Sequence, residues 1–146
     1  MVDKAYFDSV ALDWTVKCEN EIRTWTGYEK FKLEYFRRDW SPARRCSRGG
    51  WYAKGPGINI AMFRYCFDTP TARVYEYPSF DSDPVIGGFY PSHKDHYLAS
   101  VVCHEMAHAA QGYAYMVLQK PRGTPHGPDF KTPYAILRKK LLNHLI

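Results

Sequence analysis

Residues 97–118 read YLASVVCHEMAHAAQGYAYMVL, and this stretch constrains the chain more than any other. It is long enough for about six helical turns, and it is apolar on nearly every side. A helix of that kind has to be surrounded by the rest of the protein. Yet its middle carries His104, Glu105 and His108. Two imidazoles and a carboxyl among buried positions are costly without partners. A metal ion supplies one. Positions i and i+4 share a helix face, so His104 and His108 can present both rings to a single ion.

Glu105 sits one step round the helix, placed to hydrogen-bond a water on that ion. His-Glu-x-x-His on a helix is the pattern of zinc peptidases, and one Zn²⁺ is the expected cofactor. Zinc lowers the pKa of its water towards about 7. Glu105 then serves as general base during attack on a peptide carbonyl and passes the proton to the leaving amine. The plainer reading is a pair of hydrogen-bonded structural histidines.

Catalytic zinc takes a third protein ligand. No glutamate follows Glu105 in the sequence, which removes the class whose third ligand is a later Glu. The longer pattern H-E-x-x-H-x-x-G-x-x-H also fails, with Gln111 at its Gly and Ala114 at its last His. The donors left are His126, Asp129 and His144. His126 lies in a turn from which a ligand can swing back, and it is favoured over Asp129. His144 is expected to face solvent.

Around this helix the periodicity predicts an α+β arrangement. Residues 3–26 form an amphipathic helix, with Tyr6, Phe7, Val10, Trp14, Cys18, Ile22 and Trp25 on one stripe and Gly27 at its end. Residues 31–39 alternate as a strand. Gly50–Lys54 and Ile58–Arg64 suggest a hairpin around Gly-Pro-Gly, and Arg73–Tyr77 a fourth strand. Residues 78–93 read as a long loop. The metal helix is expected from near Ser92 to about Gln119. A last helix begins at Pro128 or Pro133, since both in one regular helix would require a kink. The expected whole is a single domain, 1–146. It has an N-terminal helix, a small and mostly antiparallel sheet of three or four strands, and the metal and C-terminal helices packed on one face.

The formal charge is +5, which permits binding to polyanions. Arg37, Arg38, Arg44, Arg45 and Arg48 cluster around Trp40 and Trp51. Cations interleaved with aromatic rings suit single-stranded nucleic acid; a solvated basic loop with two core tryptophans is the plain alternative. Lys131, Arg138, Lys139 and Lys140 read as a solvated helix face. His93 and His96 read as exposed polar residues. The four cysteines form no C-x-x-C pair, and such scattered thiols fit a reducing cytoplasm. Cys18 and Cys103 are expected to be buried and inert, while the pairing of Cys46 with Cys66 stays open. Asp3, Asp8 and Asp13 argue against a signal peptide, and no stretch is apolar enough to cross a membrane.

His-Glu-Met-Ala-His, a helical spacer and then His-Gly-Pro-Asp-Phe together resemble the SprT-like metallopeptidases. That family includes a protease acting on DNA–protein crosslinks. The matching residues are His104, Glu105, His108, His126, Gly127 and Phe130. The resemblance implies a minimal zincin-like domain, His126 as third ligand, and Phe130 packing the last helix beneath the site. Arg48–Gly50 and Ile58–Ile60 look like the family's glycine-rich strand pair. It further implies an endopeptidase acting on DNA-bound or crosslinked protein. The chain ends at Ile146 without the four-cysteine ribbon of many members, so a minimal form is expected, as in a phage or mobile-element protein. Two other readings stay beside it: a nucleic-acid-binding module with structural zinc, and a phage or host-interaction protein that uses the fold without turnover.

Overall fold

The computed structural model describes residues 3–63 and 94–145. Helix α1 spans Lys4–Thr26, strand β1 Tyr35–Asp39, β2 Arg48–Tyr52 and β3 Gly55–Ala61. Helix α2 spans Lys94–Met116 and α3 Pro128–Lys140, and a short 3-10 turn at Leu142–Leu145 follows. The α+β class and the order of elements agree with the sequence pattern. Arg73–Tyr77, Ser92, His93 and Cys66 lie outside the described residues.

Local chemistry explains the ends of α1. The Asp3 carboxylate accepts the Tyr6 N–H at 3.0 Å, an N-cap that satisfies one of the helix's free donors. Gly27, at φ 76°, closes the other end in the left-handed region that glycine adopts without strain. The buried line is Ala11, Thr15, Cys18 and Ile22. The expected stripe was wider than this: Tyr6 and Trp25 are exposed. Trp25 donates its indole N–H to Glu21 at 2.8 Å on the outer face.

The sheet departs from expectation in two ways. Its order is β1-β3-β2. β2 and β3 pair antiparallel, but β1 pairs with β3 in parallel, from Tyr35 opposite Gly57 to Asp39 opposite Ala61. The sheet is therefore mixed rather than mostly antiparallel. The loop after β1 carries the chain past β3's position to lay down β2 at the far side, and the hairpin return then fills the middle. Gly55-Pro56-Gly57 is also not the turn. Ala53 and Lys54 turn the chain, and the three residues belong to β3. Their small size is used for packing: a Cβ at Gly57 would lie 2.5 Å from the Tyr52 ring and 2.9 Å from Tyr35 Cβ. Those two rings stack with centroids 4.5 Å apart.

The strand expected from residue 31 starts only at Tyr35. The residues before it are held elsewhere: the Leu33 N–H donates to Glu19 of α1 at 2.8 Å, and Phe31 is buried in the core. Ile58 and Ile60 of β3, Leu98, Val102 and Met106 of α2, and Phe130, Tyr134 and Leu137 of α3 share that core. α2 is its centre, in contact with α1, α3, β2 and β3. Two glycines let it sit directly on β2. A Cβ at Gly49 would lie 2.0 Å from the Glu105 carbonyl oxygen, and one at Gly112 would lie 2.9 Å from the Trp51 nitrogen.

α2 ends at Met116, earlier than expected, and the chain leaves through Gln119 at φ 56°. α3 begins at Pro128, with Gly127 as its N-cap, and Pro133 lies inside it. Proline at the first helical position gives up an N–H that has no helical partner in any case. Pro133 costs more, because the Asp129 carbonyl loses its normal donor. Among the described residues no helix is long and apolar enough to cross a membrane.

Candidate metal centre

The fold brings His104 and His108 of α2 against His126, which stands in the turn before α3. The Nε2 atom of His126 lies 3.2 Å from that of His108 and 3.2 Å from that of His104. One ligating atom from each residue falls within 4.8 Å of the others. Asp129 is outside this cluster, in the first turn of α3, and His144 is exposed in the C-terminal 3-10 turn.

Each ligand has a local cause. His104 and His108 are one helical turn apart on the face of α2 that meets α3. His126 is fixed by its turn: the Gly127 N–H donates to the Thr124 carbonyl at 3.0 Å, and the Phe130 and Lys131 N–H groups return to the Gly127 carbonyl. Beneath all three imidazoles lies Phe130, with ring centroids 4.8, 4.4 and 4.8 Å from His104, His108 and His126. Phe130 in turn stacks on Tyr134 at 5.3 Å.

Gln111 is the residue that motif reading passed over. Its side-chain oxygen lies 3.0 Å from Nδ1 of His108, and its NH₂ group donates to the Thr124 carbonyl at 3.0 Å. An amide oxygen only accepts, so the His108 proton belongs on Nδ1 and the Nε2 lone pair is left facing the cluster. The same amide ties the His126 turn to the metal helix. Its position three residues after His108 was the available signal, since i and i+3 are neighbours on a helix.

Burial sets the charge states. It holds His104 well below the ordinary imidazole range, with His108 and His126 adding to the effect. It lowers His108 to about 4, against the opposing Gln111 hydrogen bond, and it lowers His126. The three rings are therefore neutral near pH 7, the form that binds metal. Glu105 is buried beside them. Desolvation raises its carboxyl to about 8, while the Gly49 backbone N–H pulls the other way.

This donor set fits a metal ion. At Zn–N distances near 2.0–2.1 Å, two ligands of a tetrahedral ion stand about 3.3 Å apart, close to the spacing of both histidine pairs. Three neutral imidazole nitrogens converging on one point also suit zinc by chemistry. A cleft of about 550 Å³ opens beside the cluster. Arg48–Trp51 of β2, His108, Gln111, Gly112, Tyr115 and Met116 of α2, and the loop 121–125 form its walls. Among the described residues β2 pairs only with β3, which leaves its other edge unpaired by them.

The seven residues expected to bind nucleic acid make several kinds of contact. Arg37 and Arg44 both pair with Asp39, at 3.8 and 3.2 Å. Arg38 lies over Phe36 and reaches the Asp8 carbonyl, and the Trp40 indole donates to the Asp8 carboxylate at 2.8 Å. Arg48 and Trp51 line the cleft. Arg45 is exposed, as is the thiol of Cys46.

An α+β fold that converges three histidines is, by its site, a candidate metal-binding protein. The model of the SprT-like family matches residues 89–142, the stretch holding the histidine helix, the His126 turn and the last helix. It is the family that the sequence motifs resemble. No curated protein and no solved structure matches the chain.

Proposed function

We propose that this protein is a zinc-dependent endopeptidase. The observation that carries the reading is the convergence of His104, His108 and His126, with His108 in the wall of a cleft and Glu105 buried next to His104 on the same helix. His104, His108 and His126 would hold the ion. When bound, zinc supplies Lewis acidity, which acidifies water and polarises a carbonyl. The rest is work for the chain. The charge of a bound ion would offset the desolvation that holds the Glu105 carboxyl at about 8; the ionised carboxylate would then accept the proton of the attacking water and deliver it to the departing amine. Gln111 keeps His108 in the tautomer with a free Nε2. The open edge of β2 offers backbone groups to an extended peptide, a mode of pairing that tolerates varied sequences. Among the described residues three ligands converge beside a cleft, which favours a catalytic site over a structural one closed by a fourth.

The test is Glu105→Gln. Cleavage of an unfolded protein substrate is expected to fall about a hundred- to ten-thousandfold, with zinc content unchanged. Cleavage that persists in this variant would remove Glu105 from the chemistry. An inactive wild-type protein that binds zinc would instead favour a binding role.

Single-stranded DNA is the proposed setting for the substrate, on the strength of the net charge of +5 and of the five arginines between Arg37 and Arg48. Addition of a single-stranded oligonucleotide is expected to speed cleavage of a DNA-binding protein. Indifference to DNA would leave a general peptidase.

A further inference from the structure

Two cations in the cleft have no role in the reaction described above. Arg48 stands on β2, and its guanidinium reaches to 5.6 Å from the Tyr52 ring. Arg122 stands in the loop after α2, its guanidinium 4.7 Å from the ring of Tyr115. Both residues line the cleft, one in the strand wall and one in the loop wall, with His108 between those walls. Each is exposed, yet each rests on an aromatic face, which limits its freedom before any ligand arrives. The arginines of the neighbouring loop behave differently: Arg37 and Arg44 are taken up by Asp39. Among the described residues Arg48 and Arg122 have no carboxylate within ion-pair distance. Among the described residues that line the cleft, Asp129 is the one acidic group.

We propose that Arg48 and Arg122 select substrates with an acidic side chain next to the bond that is cut. The inference rests on the peptidase reading and deepens it. A carboxylate accepts two N–H bonds from one guanidinium, and a second guanidinium across the cleft adds attraction from the opposite side. A nucleic-acid strand is the weaker candidate for this pair. It would bring a row of phosphates to two cations and place them near Asp129.

Three peptides that differ only in having Glu, Ala or Lys beside the cleavage point test this. For the zinc-loaded protein, kcat/KM is expected to fall from Glu to Ala by about tenfold, and again to Lys, as two charge-assisted contacts in a partly shielded cleft would give. The double variant Arg48→Glu, Arg122→Glu should reverse the order. Both side chains are exposed, so the variant is expected to fold, which circular dichroism checks. Equal cleavage of the three peptides overturns the proposal and leaves the peptidase reading intact. Binding of the same labelled peptides to Glu105→Gln, followed by anisotropy, gives a readout without turnover. About tenfold tighter binding of the Glu peptide is expected there, weakened by salt. Equal affinities overturn the proposal even if nothing is cleaved. Displacement of the Glu peptide by an oligonucleotide at lower concentration than by a free acidic peptide, lost in the double variant, would assign the arginines to nucleic acid and overturn it as well.

Discussion

The histidine cluster and the arginine-rich stretch from Arg37 to Trp51 are both conspicuous in the sequence, but they fold into different kinds of object. His126 comes within hydrogen-bond distance of both His108 and His104, 18 and 22 residues away in sequence. Five arginines and two tryptophans that are close in sequence part company, some to Asp39, some to Asp8, some to the cleft. Burial explains the difference. A polar group in an apolar helix has few solutions, so its chemistry dictates its partners. A cation on a strand or loop has water as an alternative on every side. Its position is then decided by which face of the sheet it occupies.

That contrast can be broken or sharpened by substitution. The largest effect is expected from Phe130→Ala, because one ring supports all three imidazoles. Loss of about 3–5 kcal/mol in stability is expected, measured by urea unfolding, together with weaker zinc binding. A variant as stable as the parent would mean that the cluster is held by other contacts. Next comes Gln111→Ala. It frees the His108 tautomer and unties Thr124, and zinc affinity should drop about 10–100-fold in a competition with a chelating dye while the fold persists. An unchanged affinity would show that the turn alone positions the ligands. The smallest effect is expected from Arg44→Ala. Asp39 keeps its hydrogen bond from the Ser41 N–H at 3.0 Å, which is the main cause of its lowered pKa. The ion pair, open to water on its Arg44 side, should therefore contribute less than about 1 kcal/mol, and a larger loss of melting temperature would give this stretch a structural weight it lacks here.

How much was legible in the sequence follows the same line. The ends of α1 were readable because Asp3 and Gly27 are local signals. The metal helix and the choice of His126 were readable because few donors remained and each had a spacing. The parallel pairing of β1 with β3 was not, since strand order depends on where a loop crosses and no single residue encodes that. Gly55-Pro56-Gly57 looked like a turn because glycine and proline are turn residues. Here Gly57 instead makes room for two tyrosine rings. Gly49 and Gly112 carried no motif at all. Their purpose is visible only when a helix is laid against a strand, backbone to backbone.

Those two glycines have a further consequence. Through them the main chain of α2 meets the main chain of β2, so the interval between the open strand edge and the histidines is fixed by backbone thickness. Side chains lining the cleft are not part of that dimension. Arg48, Trp51, Tyr115 and Arg122 can therefore be exchanged without altering where a bound strand lies relative to the reacting groups. On the peptidase reading, preference for substrate and competence for chemistry would be separately adjustable, and the two glycines are the positions that would hold them apart.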